Sequence, residues 1–375
     1  MHSILITGGA GFIGSHLTKK VLEAGHRVRI LDNLSQQIHG NKAYSAPSGA
    51  EIIVGDVTVR RDLKRALQDV DTVVHLAAET GTGQSMYEIE RYYRVNVQGT
   101  ALLFDILANQ QHGVRNVVLA SSRSVYGEGA YLCRTCGPAG VRRFPAARTP
   151  QQLARHEWTS RCPECHGELE ATGTRENDPV DPASVYAATK LAQEEMVRVT
   201  CRALGLAHAI LRFQNVFGEG QSLSNPYTGI LSIFSTRIRL GQSLPIFEDG
   251  EETRDFVHVE DVAAVLQHAI EQPVAEGVTV NVGSGEPISV MAIAQLLVKV
   301  MGADISPHVT GEYRVGDIRH NYADITRLSD AFGFSPMVPI EQGMRRFADW
   351  VQKQPVPEDL LDRANAELKA RKLMA

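Results

Sequence analysis

At 375 residues, with 43% hydrophobic and 22% charged side chains, the chain is long enough for a large α/β core with a smaller companion, and its composition excludes disorder over most of its length. A formal net charge of -5 argues against a nucleic-acid partner, which would require a basic field. No stretch approaches the roughly 18 consecutive apolar residues of a membrane span, and Met1-His2-Ser3 runs into Ile4-Leu5-Ile6 without a basic leader, so a soluble, cytoplasmic protein with no membrane partner is expected.

Short apolar runs alternate with helical patterns from the start. Residues 4–7 read as a strand, 12–24 as a helix and 27–32 as a second strand, followed by strands at 51–54, 72–76 and 116–120. Long helices are predicted over 87–108 and 185–203. Strands that are apolar throughout and separated by helices indicate a parallel sheet covered on both faces. After Phe217 the rhythm shortens, punctuated by Gly218, Gly220, Pro226, Gly229, Gly241, Pro245 and Gly250, before helices at 259–270, 290–301 and 340–350. This divides the chain into a principal domain over 1–217 and a smaller, mainly substrate-binding α/β domain over 218–354, some of whose elements return to the main sheet. Residues 355–375 are charged and helix-prone, either a solvated tail or a packing arm.

Thr7-Gly8-Gly9-Ala10-Gly11-Phe12-Ile13-Gly14 follows the first strand and opens the first helix. Gly8, Gly11 and Gly14 allow a tight turn and close backbone approach, so the N–H groups around Phe12 and Ile13 meet a pyrophosphate at the positive helix end. Asp32 stands 18 positions past Gly14, at the end of the second strand, where a carboxylate accepts from a ribose 2′-OH and repels a 2′-phosphate. The pattern predicts a Rossmann-type, doubly wound parallel sheet that binds NAD in preference to NADP. Further on, Tyr186-Ala187-Ala188-Thr189-Lys190 puts a phenol and an ammonium on one helix face. A neighbouring cation favours the phenolate of a tyrosine whose ordinary pKa is about 10, which suits it to take a hydroxyl proton. Ser121-Ser122-Arg123-Ser124-Val125-Tyr126-Gly127 at the end of a strand makes the pair specific.

Together these motifs resemble the extended short-chain dehydrogenase/reductases, and within them the nucleotide-sugar epimerases and dehydratases. The likeness also rests on Asp56, His75-Leu76-Ala77-Ala78, Asn96-Val97-x-Gly99-Thr100, Leu211-Arg212-x-x-Asn215, Arg254-Asp255-Phe256-Val257-His258-Val259-x-Asp261, Asn281-Val282-Gly283-Ser284-Gly285, Gly316-Asp317 and Ala323-Asp324. The resemblance implies a tightly held NAD, contacted also by Asn33, Asp56, Val57, Leu76, Ala77, Ala78 and Asn96, the last supporting the helix that carries Lys190. It implies a nucleoside-diphosphate sugar in the cleft, with Ser122 and Tyr186 at the sugar, Lys190 on the nicotinamide ribose, Thr80, Ser85 and Ser124 nearby, and Asn215, Arg254 and one of Arg314 or Arg319 on the diphosphate. It further implies a homodimer. The 4,6-dehydratases of the family carry Asp-Glu after the catalytic hydroxyl residue and its decarboxylases a Glu before Val-Tyr-Gly; Arg123 and Ser124 stand there instead. Without those carboxylates, proton removal at C5 lacks a base, so 4-epimerisation is the expected reaction. A 4-ketoreductase, a dehydratase, another nucleotide-sugar 4-epimerase of the UDP-glucose type, or a non-catalytic NAD-sensing scaffold are the competing readings.

Between the two halves of this site lie Cys133-x-x-Cys136 and Cys162-x-x-Cys165, within a segment of 59 positions from Gly127 to Tyr186. Residues 131–175 read as an inserted module whose four thiolates hold a structural zinc, closing its coordination shell against catalysis. His156 and His166 are read as neighbours of that site and not ligands. Seven arginines against four glutamates give the module +3, which zinc held by four thiolates reduces to +1, too little for phosphate-backbone binding. A wall over the sugar or a subunit contact is the expected role. The cysteine insert with Glu79 to Tyr87 most resembles the dTDP-L-rhamnose 4-epimerase subgroup, which forms dTDP-6-deoxy-L-talose. Cys201, alone on a helix, is expected to be a buried inert thiol.

Overall fold

The protein is described by a computed structural model over residues 1–40, 44–137, 140–223, 225 and 229–375; Pro226, one of the predicted break points, lies outside the described residues. Seven strands form the main sheet: β1 (Ser3–Thr7), β2 (Arg27–Asp32), β3 (Ala50–Val54), β4 (Thr72–His75), β5 (Asn116–Ser122), β6 (Ala207–Phe213) and β7 (Val278–Val282). Their order is β7-β6-β5-β4-β1-β2-β3, and every pairing is parallel. Parallel strands need helical crossovers, which bury both faces and explain why these runs are mainly apolar. Alternate residues serve opposite layers. Ile4, Ile6, Ile30 and Val74 pack with Leu17, Val262 and Leu266 on one side, while Leu5, Leu31, Val73 and Leu119 pack with Leu63, Leu103 and Val197 on the other.

The connection order reverses between β1 and β4, opening a crevice at the carboxyl ends of the strands. Past β6, the helices Ile230–Arg239, Val290–Met301 and Ile340–Gln352 enclose a second core around Phe217, Phe234, Phe256, Leu297 and Phe347. The second half of the chain also returns β7 to the edge of the main sheet and the helix Val259–Glu271 to its face.

Three features differ from, or refine, the sequence expectation. The single helix expected over 87–108 is broken into Ile89–Tyr92, a π-helical stretch Tyr93–Gln98 and Gly99–Asn109. The wider turn sits where the buried Asn96 turns inward and Thr100 Oγ1 donates to its carbonyl at 2.6 Å, a satisfied departure from α geometry. The inserted segment is a small three-stranded antiparallel sheet, Ala130–Cys133 paired with Arg142–Arg143 and Leu169–Thr172, with the helix Pro150–Ala154. And of the two readings of residues 355–375, the structure has the packing arm: the helix Leu361–Ala370 buries Leu361, Ala364 and Leu368, and the terminus pairs with the loop before it, Tyr313 N–H to the Ala375 carbonyl at 2.8 Å and Val315 N–H to the Leu373 carbonyl at 2.9 Å. Among the described residues no helix is long and apolar enough to cross a membrane.

If the arm is part of the folded unit, Leu368→Ala should destabilise by about 2–3 kcal/mol, the cost of an emptied leucine site. A urea midpoint that moves by that amount with an unchanged slope is the expected result; no shift would mean the arm is detached in solution.

Candidate active site

A cavity of about 500 Å³ runs along the carboxyl ends of the strands, lined at one end by Gly8, Gly11, Phe12, Ile13, Gly14, Asp32, Asn33, Asp56 and Val57. The glycines are there for space. Gly8 has φ +71, and a Cβ on it would sit 2.8 Å from the Ala77 nitrogen; one on Gly14 would sit 2.4 Å from the Gly8 carbonyl oxygen. The helix Phe12–Glu23 begins at Gly11 with no side-chain cap and no acid in its first turn, so its free N–H groups and positive end face the cavity. Asp32 accepts from the Ala10 N–H at 3.0 Å and the Leu34 N–H at 2.9 Å, bracing the glycine loop while lining the cavity. Beside it Asn33 donates to Asp56 at 2.9 Å. Burial would raise the Asp56 carboxyl, but the bonds from Thr58 and Asn33 and the Arg94 charge outweigh it and hold it below its usual range. These residues have the shape and donors of a dinucleotide cradle.

At the other end the cavity is floored by Ser122, Tyr186 and Lys190. β5 ends at Ser122, whose Oγ accepts from the N–H of Ser124 at 3.2 Å and from its hydroxyl at 3.0 Å. The helix Val185–Leu204 is capped by Ser184 on the Ala187 N–H, and Ser85 Oγ accepts the Tyr186 N–H at 3.0 Å. Its next turn brings Lys190 under the same floor, Nζ donating to the Ala120 carbonyl at 2.9 Å and lying 6.0 Å from the Tyr186 ring centre. Burial pushes the Lys190 ammonium down to about 8, against the opposing charge of Glu194. Burial also holds the Tyr186 phenol above its ordinary value, while the hydrogen bond with Ser122 and the charge of Arg123 pull it down. Burial outweighs both, so the phenol of the ligand-free protein stays raised. Lys190 also helps to keep the neighbouring His75 neutral: burial, then that positive charge, push the imidazole down to about 3, between Thr7 Oγ1 at 2.7 Å and Thr100 Oγ1 at 3.0 Å.

A second cavity of about 250 Å³ adjoins the first, sharing Thr82, Arg123, Asn215 and Phe256. Arg254 and Arg314 line it, with Phe247, and Leu361, Leu368 and Leu373 of the C-terminal arm close its side. Arg314 stacks on Phe247 with its guanidinium carbon 4.7 Å from the ring centre, and among the described residues its buried Nε has no hydrogen-bond partner. An elongated, diphosphate-bearing ligand matches this geometry.

The structure places the remaining expected site residues as follows. Leu76, Ala77, Ala78, Thr80, Ser124 and Asn215 line the large cavity. Ser85 and Asn96 line neither cavity and act behind it: Ser85 holds the start of the Tyr186 helix, and Asn96 Nδ2 reaches Thr189 Oγ1 at 3.0 Å while Oδ1 accepts the Glu79 N–H at 2.8 Å. Of the two alternative arginines, Arg314 faces the cavity and Arg319 does not; Arg319 is bound bidentately to Asp249 at 2.6 and 2.8 Å. The residue that sequence reasoning missed is Arg123. It was read only as a missing carboxylate, yet it lines both cavities, donates to Asn215 at 2.7 Å, and is pushed down to about 9 by burial and by Arg254. Its place directly after Ser122, on the turn Arg123–Tyr126, was the available signal.

Away from the cleft, the four module cysteines converge. All are free thiols, their sulfurs lie within 4.8 Å of one another, and Cys133–Cys165, Cys133–Cys136 and Cys136–Cys162 are each 3.6 Å apart. Four sulfurs at ~2.3 Å from a tetrahedral zinc are ~3.8 Å apart, so the donor set fits that ion. No histidine belongs to the group among the described residues; His156 stacks with Trp158 instead. Cys201 is buried in the core, its thiol pushed up to about 12 by burial.

Compared with known families, residues 4–150 and 159–283 match the NAD dependent epimerase/dehydratase family, and the interruption falls inside the cysteine module. The dTDP-L-rhamnose 4-epimerase of Burkholderia thailandensis is 37% identical over 367 residues, 96% of each chain. Among solved structures, the UDP-N-acetylglucosamine 4-epimerase of Methanobrevibacter ruminantium, in complex with UDP-N-acetylmuramic acid, superposes with a TM-score of 0.76 at 29% identity, over 94% of this chain and 99% of that one. The UDP-glucose 4-epimerase of Thermus thermophilus, in complex with NAD, gives 0.72 at 26% identity, over 94% and 100%.

The buried ammonium makes stability depend on pH in a defined direction. Lys190 titrates at about 8 in the folded chain and at 10.5 when free, so between these values the unfolded state holds more protons and stability rises with pH. In the ligand-free protein, Lys190→Met should therefore raise the melting temperature most near pH 7, by an effect of order 3 kcal/mol, with the gain fading towards pH 10.5. A gain that does not change across that range would contradict the assignment.

Proposed function

The chain belongs to the NAD dependent epimerase/dehydratase family, and on that premise we propose that it is a nucleotide-sugar 4-epimerase whose substrate is dTDP-L-rhamnose and whose product is dTDP-6-deoxy-L-talose. The observation that carries the reading is the floor of the cleft, where Ser122, Tyr186 and Lys190 meet a cation, Arg123, at the position where dehydration would need a carboxylate. The choice of dTDP-L-rhamnose rests on the Burkholderia relative. The likeness to enzymes that act on UDP-sugars favours a UDP-hexose as the second choice.

In this reading the glycine loop, Asp32 and Asp56 hold NAD, which when bound takes a hydride from C4 of the sugar and returns it to the opposite face. The protein does the rest. Tyr186 accepts the proton of the 4-hydroxyl as the C4–H bond breaks, and gives it back when the new alcohol forms, so no proton, electron or cofactor is consumed. Ser122 hydrogen-bonds the same oxygen, and Arg123 stabilises the negative charge that the phenolate carries. Lys190, 6.0 Å from the Tyr186 ring centre, would hold the nicotinamide ribose. Arg254, Arg314 and Asn215 grip the diphosphate, anchoring one end while the 4-keto sugar turns its other face within the larger cavity. The four cysteines hold a structural zinc, with every coordination position filled by sulfur. The active species is a homodimer; Ile89, Tyr93 and Val199, exposed apolar residues on adjoining helices, suit a helix-to-helix contact.

Incubation with dTDP-L-rhamnose, UDP-glucose and UDP-N-acetylglucosamine without added cofactor, followed by NMR, should give the C4 epimer with no accumulation of reduced nicotinamide. A keto-sugar product would indicate dehydration, and no conversion of any of them would favour a non-catalytic role. Tyr186→Phe should lower the rate constant by about 10²–10⁴ while the purified protein keeps its NAD absorbance; near-normal turnover would overturn its role as the base. Metal analysis should find one zinc per chain, lost together with the module's protection from proteolysis in Cys162→Ser. Metal-free protein with an intact module would refute the zinc site.

A further inference from the structure

The inserted module is joined to the loops behind the second cavity by a buried arginine that no motif points to, beside ring contacts of Trp158 with Tyr313 and Tyr131 with His320. Arg148, between the two cysteine pairs, has a side chain only 1% exposed. Its guanidinium forks onto Glu248, at 2.6 and 2.9 Å, and also donates to the Trp158 carbonyl at 3.2 Å and the Asp317 carbonyl at 2.9 Å. Its Nε lies 3.5 Å from Glu128. Glu248 has a left-handed backbone, φ +49, an arrangement that disfavours any residue with a Cβ and persists only where surrounding contacts hold it.

These contacts cross two loops that build the second cavity. One carries Phe247, Glu248 and Asp249; the other carries Arg314, Asp317 and Arg319. The loops are tied again by Arg319 on Asp249, and Glu128 accepts the Arg319 N–H at 2.8 and 3.0 Å. The tied backbone then holds Arg254: its guanidinium donates to the carbonyls of Ile318 at 2.8 Å, Arg319 at 3.0 Å and Thr253 at 2.8 Å. Phe247, on which Arg314 stacks, is the residue before Glu248. Arg254 and Arg314 thus both rest on backbone that Arg148 pins, and the forked hydrogen bonds of Arg148 on Glu248 and of Arg319 on Asp249 fix that backbone.

We infer that Arg148 is a positioning residue through which the four-cysteine module sets the geometry of Arg254 and Arg314, and so the affinity of the cleft for the nucleoside-diphosphate part of its substrate. The inference rests on the nucleotide-sugar reading above. Its test is a binding measurement that separates the two. dTDP and UDP are titrated calorimetrically into the unmodified full-length protein and into the Arg148→Met/Glu248→Met double variant, which removes both charges of the fork and leaves Glu128 held by the Arg319 N–H and the Tyr131 hydroxyl. NAD content and melting temperature are recorded alongside. The expected result is a double variant that is folded and loaded with NAD, yet binds the nucleotide about tenfold more weakly, with the loss in turnover falling on KM more than on kcat. A folded double variant with unchanged nucleotide affinity overturns the inference and leaves the function standing. Failure of the unmodified protein to bind either nucleotide overturns both. If the double variant does not fold, Glu248→Gln alone, which weakens the fork without an unpaired anion, is held to the same criterion.

Discussion

Everything at the catalytic floor hangs on one buried ion pair. Glu194, on the helix Val185–Leu204, is fully buried and receives Arg212 of β6 at two points, 2.9 and 2.7 Å, while Ser121 of β5 donates to the same carboxylate. Arg212 continues to the Tyr126 hydroxyl at 2.8 Å, in the turn that follows Ser122. Removing two charges from water is expensive, and the expense is tolerated only where geometry and additional hydrogen bonds are complete, as they are here. The consequence is register. One turn before Glu194 comes Lys190, one turn before that Tyr186, and next to Ser121 comes Ser122. Locking Glu194 to β5 and β6 therefore fixes which face of the helix meets which end of the strand.

The same logic, a buried charge network that sets the relative position of separate elements, recurs at the far end of the cleft. There Arg148, Glu248, Glu128, Arg319 and Asp249 join the inserted module to the two loops of the second cavity. The module thus has two parts that act on different scales. Four sulfurs close a small sheet that has little apolar core of its own, and one arginine carries the resulting rigidity to the arginines that face the ligand. Catalytic and binding ends are each braced from behind by residues that touch no ligand.

Much of this was legible without coordinates because its signals are local. The first five strands announce themselves as mainly apolar runs, since a parallel sheet is covered on both faces, and their observed ends fall within two residues of the expected ones, while Ala207–Phe213 and Val278–Val282 were not anticipated. The glycine loop, Asp32, Ser122, Tyr186, Lys190 and the four cysteines lie in short segments whose spacing carries their chemistry; the first group lines one cavity and the four sulfurs converge. Less legible was anything decided by a partner distant in sequence. Ser85 and Asn96 look like cleft residues but face backward, toward Tyr186 and Thr189, because the helix they support needs donors and acceptors there. Arg319 and Arg314 are five residues apart and chemically equal, yet Asp249 claims the first and leaves the second at the cavity.

What the sequence determined by itself, then, is the class of chemistry: a doubly wound α/β sheet, a dinucleotide loop that favours NAD, a phenol and an ammonium one helical turn apart, and four thiols in two knuckles. These follow from periodicity, backbone freedom and side-chain type within a few residues, and need no knowledge of what packs where. Only the tertiary structure decided that Arg123 is a cation inside the cleft which, after the Ser122 hydrogen bond, offsets part of the burial that raises Tyr186, that the C-terminal arm is a wall of the substrate cavity, and that a module lying outside the cleft pins its arginines. The reason is physical. Burial and long-range ion pairing set the charge and direction of these side chains, and both are properties of the folded chain as a whole.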